Sequence, residues 1–427
     1  MLLLFKSVKT YNNHNKRVAR EMITNLPSPL HTFWIASMLA LVLSFGTTYA
    51  IAQSDFDDDD DDVTAEELMY EDIPIDEAIF LKEWAPVPFS QTMFDYTVEE
   101  ITERWNEFMV GIRAPFPSAP YLEYMIANHP ELVEGVEAFK GDYEDFSRRN
   151  LEVWRLFLRG DFQQAREEGL QLGAFGLFPA MFAQVLQAQY LAESQQEKYM
   201  LLQDVANRVK KYLPLLEEVR EDPIAKETVA FAKLGYAYSL GRIAEESPVA
   251  VVVARRYINK IKDNADDILE LVPDHPLGHA FRAGVDANIM RRVGRATGRV
   301  TYGARANVID ESFTEAFEKT PNIPILNYEY ANALIYQSKK RHMNEALSYY
   351  EHATTIKPTW SMDALDVMYA HKRLAEIKLF EKNFRSFRTF ERQRRRFSRV
   401  TDRNLTNVSS PILNMDMLEN PEKYKLN

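Results

Sequence analysis

From Tyr121 onward, apolar residues recur with the period of a helix. In Leu151 to Leu158 (LEVWRLFL) they stand three and four positions apart, the spacing that lines one side of a helix with about 3.6 residues per turn. Arg159-Gly160-Asp161 interrupts the pattern. A second stretch, Phe162 to Leu172, then carries Phe162, Ala165, Gly169 and Leu172 on one side. Two such stretches joined by a short glycine turn predict an antiparallel helical hairpin. Before Tyr121 the pattern is broken. Pro74, Pro86, Pro88, Pro115, Pro117 and Pro120 interrupt residues 72–120, and proline cannot continue a helix interior. One helix is predicted among them, Val98 to Val110, with Ile101, Trp105, Phe108 and Met109 on one face. The organisation expected is an acidic, proline-rich linker over 53–120, a helical body over 121–380, and a basic helix and tail over 381–427.

The hairpin pattern repeats. Asn327 to Pro358 reads NYEYANALIYQSKKRHMNEALSYYEHATTIKP. Ala333 and Tyr336 place a small residue and an aromatic on a first helix; Ala346, Tyr350, Ala353 and Pro358 do the same for a second helix and its terminator. Small residues let two helices approach closely and aromatics fill the space beside them. This segment resembles a tetratricopeptide repeat (TPR). Upstream, Phe313, Ala316 and Pro321 keep the second-helix spacing, and Leu234, Gly235 and Tyr238 keep the first. The units ending at Pro273 and Pro321 are longer than the standard repeat of about 34 residues. Their insertions, Ile243 to Val253 and Met290 to Ala304, are expected on one face of the array. The stretch Pro273 to Ala304, with Thr301-Tyr302-Gly303-Ala304 and the later Glu329-Tyr330-Ala331-Asn332, is similar to exported bacterial TPR proteins. It is more distantly similar to the regulator-of-microtubule-dynamics proteins and to the T component of tripartite transporters. The resemblance covers residues 150–360 and implies an all-α solenoid of TPR-like hairpins after a disordered N-terminal segment.

The N-terminus reads as an address. Lys6, Lys9, Lys16, Arg17 and Arg20 precede the apolar stretch Phe33 to Phe45, and Ala50-Ile51-Ala52 supplies an A-x-A cleavage site. The uncharged run Phe33 to Ala52 is also long enough for an uncleaved anchor. Met22 is an alternative start. Asp55 and the run Asp57 to Asp62 follow, and like charges in a block repel and stay extended.

Composition narrows the classes. The 427 residues contain 15 Gly and no Cys, with a formal net charge of −12. Low glycine disfavours turn-rich β architectures. Absence of cysteine excludes disulfides, thiolate metal sites, cysteine nucleophiles and lipidation at cysteine, so the typical lipoprotein form of the transporter component does not carry over. Loss of residues 1–52, with five Lys/Arg and one Glu, leaves a net charge of −16. An exported chain independent of oxidative folding fits a Gram-negative periplasm. Nucleic acid is not an expected partner at this charge.

Candidate chemistry is sparse. His275 and His279 stand four apart, but Pro273 and Pro276 place His275 in a linker, where capping and packing outweigh metal ligation. There is no G-x-S-x-G, no Walker loop and no dinucleotide fingerprint. No cofactor, metal or catalysis is expected. Asn404-Leu405-Thr406 and Asn407-Val408-Ser409 match glycosylation sequons. The candidate binding residues are Arg291, Arg292, Arg295, Arg299, Tyr302 and Arg305, a basic cluster in an acidic protein. The four-residue spacing of Arg291, Arg295 and Arg299 predicts one helix face, where like charges repel and call for acidic neighbours or an acidic ligand. A second basic segment, Phe384 to Arg403, pairs core-facing Phe387, Phe390 and Phe397 with an arginine face from Arg385 to Arg403 suited to solvent or to an anionic membrane surface.

The function expected is a non-catalytic, exported interaction scaffold that holds a protein or peptide partner, acidic for preference, in a solenoid groove. The alternative is a periplasmic ligand-binding accessory of a solute transporter. The two differ in geometry: an open groove serves the adaptor and an enclosed cavity serves the ligand carrier.

Overall fold

The computed structural model describes residues 75–338 and 341–424. The expected export signal, the alternative start at Met22 and the Asp57–Asp62 run lie outside the described residues. Among those described there are nineteen α-helices and no strand.

Helix α1 (Ala78–Leu81), α2 (Val98–Glu103) and α3 (Trp105–Met109) lie where a linker is expected. The segment is not a tether. Phe80, Trp84, Val87, Phe94, Ile101, Trp105, Phe108 and Met109 are buried against the helices that follow. The prolines keep the helices short, and the aromatics between them dock the chain. The indole of Trp84 donates to the carbonyl of Ile79, that of Trp105 to Ala114, and the Trp105 ring meets Trp154 edge-on at 5.2 Å. The single helix expected over Val98–Val110 is two. Thr97 and Glu100 form a capping box that starts α2, and Arg104 leaves helical geometry at φ −104°, ψ 12°.

Helix α4 (Ala119–Asn128) leads to α5 (Tyr143–Arg159), α6 (Phe162–Leu170) and α7 (Gly173–Leu186). The turn expected at Gly160 is there. Asp142 caps the start of α5, and Gly160 ends it at φ +99°, a conformation open to glycine. Gly169 of α6 and Gly176 of α7 bring those two backbones into contact, with no room for a Cβ at either. Helix α7 does not end normally. It passes into a π-helical turn, Gln187–Leu191, in which the Ala192 N–H reaches back five residues to the Gln187 carbonyl at 2.8 Å.

Then come α8 (Gln195–Glu218), α9 (Lys226–Glu246), α10 (Val249–Ala254), α11 (Tyr257–Leu271), α12 (Pro276–Val293), α13 (Arg295–Tyr302), α14 (Ala306–Lys319), α15 (Pro324–Ser338), α16 (Met343–Thr355), α17 (Ser361–Asn383), α18 (Phe387–Thr401) and α19 (Met415–Glu419). Most pack on a neighbour in sequence: α8 on α9, α9 on α11, α14 and α15 on α12, α15 on α16, α16 on α17. The small and aromatic residues singled out in the sequence are at these contacts. Ala316, Ala333, Ala346, Tyr350 and Ala353 are buried, and the Tyr350 hydroxyl donates to Asn332 Oδ1 at 2.6 Å. Helix α12 is apolar on opposite faces. Ala283 and Ala287 pack with α14 and α15 through Ile309, Phe313 and Leu326, while Phe281 and Val285 face a cavity.

The chain end is also built in. Phe387, Phe390 and Phe397 of α18 are buried, as expected. The arginines do not all form a solvated face. Arg394 is buried on Glu376 at 3.2 Å, beside Arg373, which bonds Glu376 at 3.1 Å and Glu391 at 3.2 Å. Arg385, Arg388, Arg396 and Arg399 are exposed. Among the described residues no helix is long and apolar enough to cross a membrane.

Candidate functional site

A partly open cavity of about 170 Å³ lies between α7, α9, α10, α11, α12, α15 and α17. Its walls are apolar, with Phe182, Leu234, Val252, Ile261, Phe281 and Val285 among the lining side chains. The two long insertions of the sequence both border it: Val249, Val252 and Val253 from one, Arg292, Val293 and Tyr302 from the other. Gly284 of α12 faces open space there, and a Cβ added to it would meet nothing within 4 Å.

The polar part of the lining converges on Asp366 of α17. This residue is fully buried and sits among Met362, Leu365, Tyr369 and Ala370, an apolar helical neighbourhood. The Tyr190 hydroxyl donates to Asp366 Oδ1. The Tyr328 hydroxyl lies 2.7 Å from the Tyr190 oxygen and 3.2 Å from the same Oδ1. Asp366 Oδ2 has no hydrogen-bond partner within the protein. Burial pushes the carboxyl well above the usual carboxylate range, the Tyr190 hydrogen bond opposes this, and Asp363 adds to it. Burial likewise raises Tyr190 and Tyr328, so both hydroxyls keep their protons. A buried polar atom without a partner costs about 1–3 kcal/mol, and Asn288 Oδ1, on another residue of the lining, is unpartnered as well.

Tyr190 is placed by the π-helical turn. The last four carbonyls of a helix have no partner in the helix, and here the tail supplies them. Asn404 Nδ2 donates to Ala188 at 3.2 Å, the Thr406 hydroxyl to Gln189 at 2.7 Å, the Val408 N–H to Tyr190 at 2.9 Å, and Asn407 Nδ2 to Leu191 at 2.8 Å and Ala192 at 2.9 Å. Lys372 holds the tail from the other side through the Asn407 carbonyl at 2.7 Å. The two sequon asparagines are therefore buried donors. Asn404 is 0% exposed and Asn407 is 8% exposed.

Beside this cluster, Arg242 donates to Glu245 at 2.9 Å and to Glu329 at 2.6 Å, and stacks on the Tyr238 ring at 4.7 Å. Arg292 donates to the carbonyls of Ala244, Glu245 and Ser247, at 2.7, 3.2 and 2.7 Å. A guanidinium on the last carbonyls of α9 complements the negative end of that helix. Burial, reinforced by Arg395 and Arg291, lowers Arg292 to about 9.

The basic cluster expected as a binding site is divided. Gly294, at φ +82° and ψ 159°, ends α12 and starts α13, so Arg291, Arg295 and Arg299 do not share a helix face. Arg291 stacks on Tyr336 at 4.7 Å and lies 3.6 Å from Glu391. Arg292 and Tyr302 border the cavity, and the Tyr302 carbonyl accepts from Lys262 at 2.7 Å. Arg295, Arg299 and Arg305 are exposed. The break separates Arg291 from the other two, while Arg295 and Arg299 stay four apart on α13 with both side chains exposed.

His275 Nδ1 accepts from the Gly278 N–H at 3.1 Å and so caps α12, while His279 turns to the Pro273 carbonyl. Burial, with Arg113 and His279 nearby, pushes His275 down to about 3. No group of acidic and histidine side chains able to hold a metal occurs among the described residues.

The sequence pointed to parts of this site. Tyr238 and Glu329 stand in the two motifs that carry the repeat resemblance. Asp366 carries one signal in the sequence, an acidic residue with apolar neighbours one, three and four positions away. Tyr190 gave none, since an α-helical period cannot announce a π turn. In comparisons with known proteins, no family model matches the chain, and neither do the curated proteins or the solved structures.

Proposed function

We propose that this protein is a non-catalytic carrier of an apolar small molecule, held in the cavity between α9, α12 and α17. The observation that supports the reading is a partly open cavity with apolar walls beside a buried polar cluster. Ligand pockets combine a largely apolar lining with a few convergent polar groups. The helical pairs are taken as divergent TPR-like hairpins stacked into a solenoid, and the chain as exported to a periplasm by the residues before 53. An apolar cavity suits the accessory of a solute transport system, and its open mouth leaves the adaptor as the second reading.

The test is titration with N-phenylnaphthylamine, an uncharged probe that fluoresces in apolar surroundings. The wild type is expected to bind it at one saturable site. Gly284→Leu extends a side chain into the open space and replaces a mid-helix glycine. It is expected to keep or raise stability, by up to about 1 kcal/mol from helix propensity, and to weaken probe binding at least tenfold. Equal binding by the variant would place the probe elsewhere.

A second reading keeps the adaptor. Helix α13 carries Val300, 81% exposed, with exposed Arg295, Arg299 and Arg305 around it. This surface suits an acidic segment with an apolar residue. Capture of such a partner that survives Arg295→Glu with Arg299→Glu would exclude α13 as its seat.

A further inference from the structure

An apolar cargo has to reach the cavity from somewhere, and the rim indicates the source. This step rests on the carrier reading above. Among the described lining residues Val253 of α10 is the most exposed, at 40%, so the cavity reaches solvent beside α10. The two insertions that border it are tied together at both ends. Arg292, just before α13, donates to the carbonyl of Ser247, just before α10, at 2.7 Å. Lys262, in the helix after α10, donates to the carbonyl of Tyr302, the last residue of α13, at 2.7 Å. Gly298 seats α13 on α12, where a Cβ would come within 3.3 Å of Ile289 Cγ2. Val300, half a turn further round, faces away and is 81% exposed.

Charge singles out the same rim. From Ser247 to Lys262 the chain carries four basic residues and no acidic one, and from Ala287 to Ile309 five and none, in a protein of net charge −12. Of these, Arg256, Lys260, Arg295, Arg299 and Arg305 are exposed. Exposed apolar residues with a polar rim mark protein or membrane contacts. The adjoining cavity favours a membrane, because cargo dissolved among acyl chains would meet apolar walls directly. Helix α18 also exposes arginines, but among the described residues it exposes no large apolar side chain and lines no part of the cavity.

From this juxtaposition of a cavity mouth with exposed valines and exposed cations, we infer that α10 and α13 dock the carrier on an anionic lipid surface, from which its cargo enters the cavity. The cations are drawn to the headgroups, and Val253 and Val300 add a shallow apolar contact. Two valines make that contact weak and reversible, as a carrier that must leave its donor requires.

The experiment is flotation of the protein, purified after export, with phosphatidylcholine vesicles that contain or lack phosphatidylglycerol, at low salt. Titration with N-phenylnaphthylamine in vesicle-free solution runs beside it. The wild type is expected to float with the anionic vesicles and not with the neutral ones. Arg295→Gln with Arg299→Gln, and separately Val300→Asp, are each expected to weaken flotation about tenfold. Both change exposed side chains outside the lining, so naphthylamine binding is expected to stay within about twofold. Arg385→Gln with Arg396→Gln, on α18, is expected to leave flotation within about twofold, since charges beyond a Debye length of the membrane contribute little. Absence of naphthylamine binding would overturn the carrier reading and the loading step with it. Naphthylamine binding without flotation, or equal flotation with neutral vesicles, would overturn this inference alone. An equal or larger loss in the α18 pair would overturn α10 and α13 as the docking face. Flotation lost in the α13 arginine pair but kept in Val300→Asp would overturn the lipid contact in favour of an acidic protein partner.

Discussion

His275 shows how much one side chain can set. Its Nδ1 takes the place of the usual serine or aspartate oxygen at a helix start, so it serves α12 only while neutral. Its pKa falls from 6.5 in the unfolded chain to about 3 in the folded protein. The unfolded state therefore binds more protons between these values, and stability declines as pH drops from 6.5 toward 3. His275→Asn keeps a capping oxygen and removes the titration. Urea midpoints measured across that range should fall less steeply for the variant, and an unchanged slope would assign the acid sensitivity elsewhere. Asn407 is a residue of the same kind. Its amide serves two buried carbonyls, and Asn407→Ala is expected to cost about 2–4 kcal/mol. The capping of His275 is legible from its place between two prolines, whereas an asparagine in a sequon reads as surface.

At the scale of elements, the helical period reports which side of a segment is buried, and it did so where one helix meets one partner. The turn at Gly160, the core face of α18 and the paired helices α15 and α16 follow from spacing and small residues. The same period misleads where a break hides inside it. Gly294 keeps the four-residue spacing of the arginines while turning the chain at φ +82°. Prolines between 72 and 120 point to a broken linker with one helix and not to the burial of Trp84 and Trp105, because aromatic content, not periodicity, docks that strap. The π turn and the tail form one unit. The tail fills carbonyls that the turn leaves open, and the turn sets Tyr190 against Asp366. Truncation after Asp402 should therefore do more than shorten the protein. It removes five hydrogen bonds to residues 188–192 and is expected to weaken naphthylamine binding along with thermal stability. Full binding by a destabilised truncation would separate the tail from the cavity.

For the whole molecule, strap, tail and insertions close on one helical body. The strap reaches the later helices through the Tyr96 hydroxyl, 2.8 Å from the Thr359 carbonyl, and Ser361 ties α17 to the Phe157 carbonyl at 2.8 Å. The insertions border the cavity, and the account stands on its being a binding site. The most direct measurement is a crystal structure of the protein with a bromine-labelled long-chain alcohol, read in an anomalous difference map. The account predicts one bromine peak between Phe182, Leu234 and Phe281. Bromine found on the surface alone, with the chamber holding only water, would contradict it.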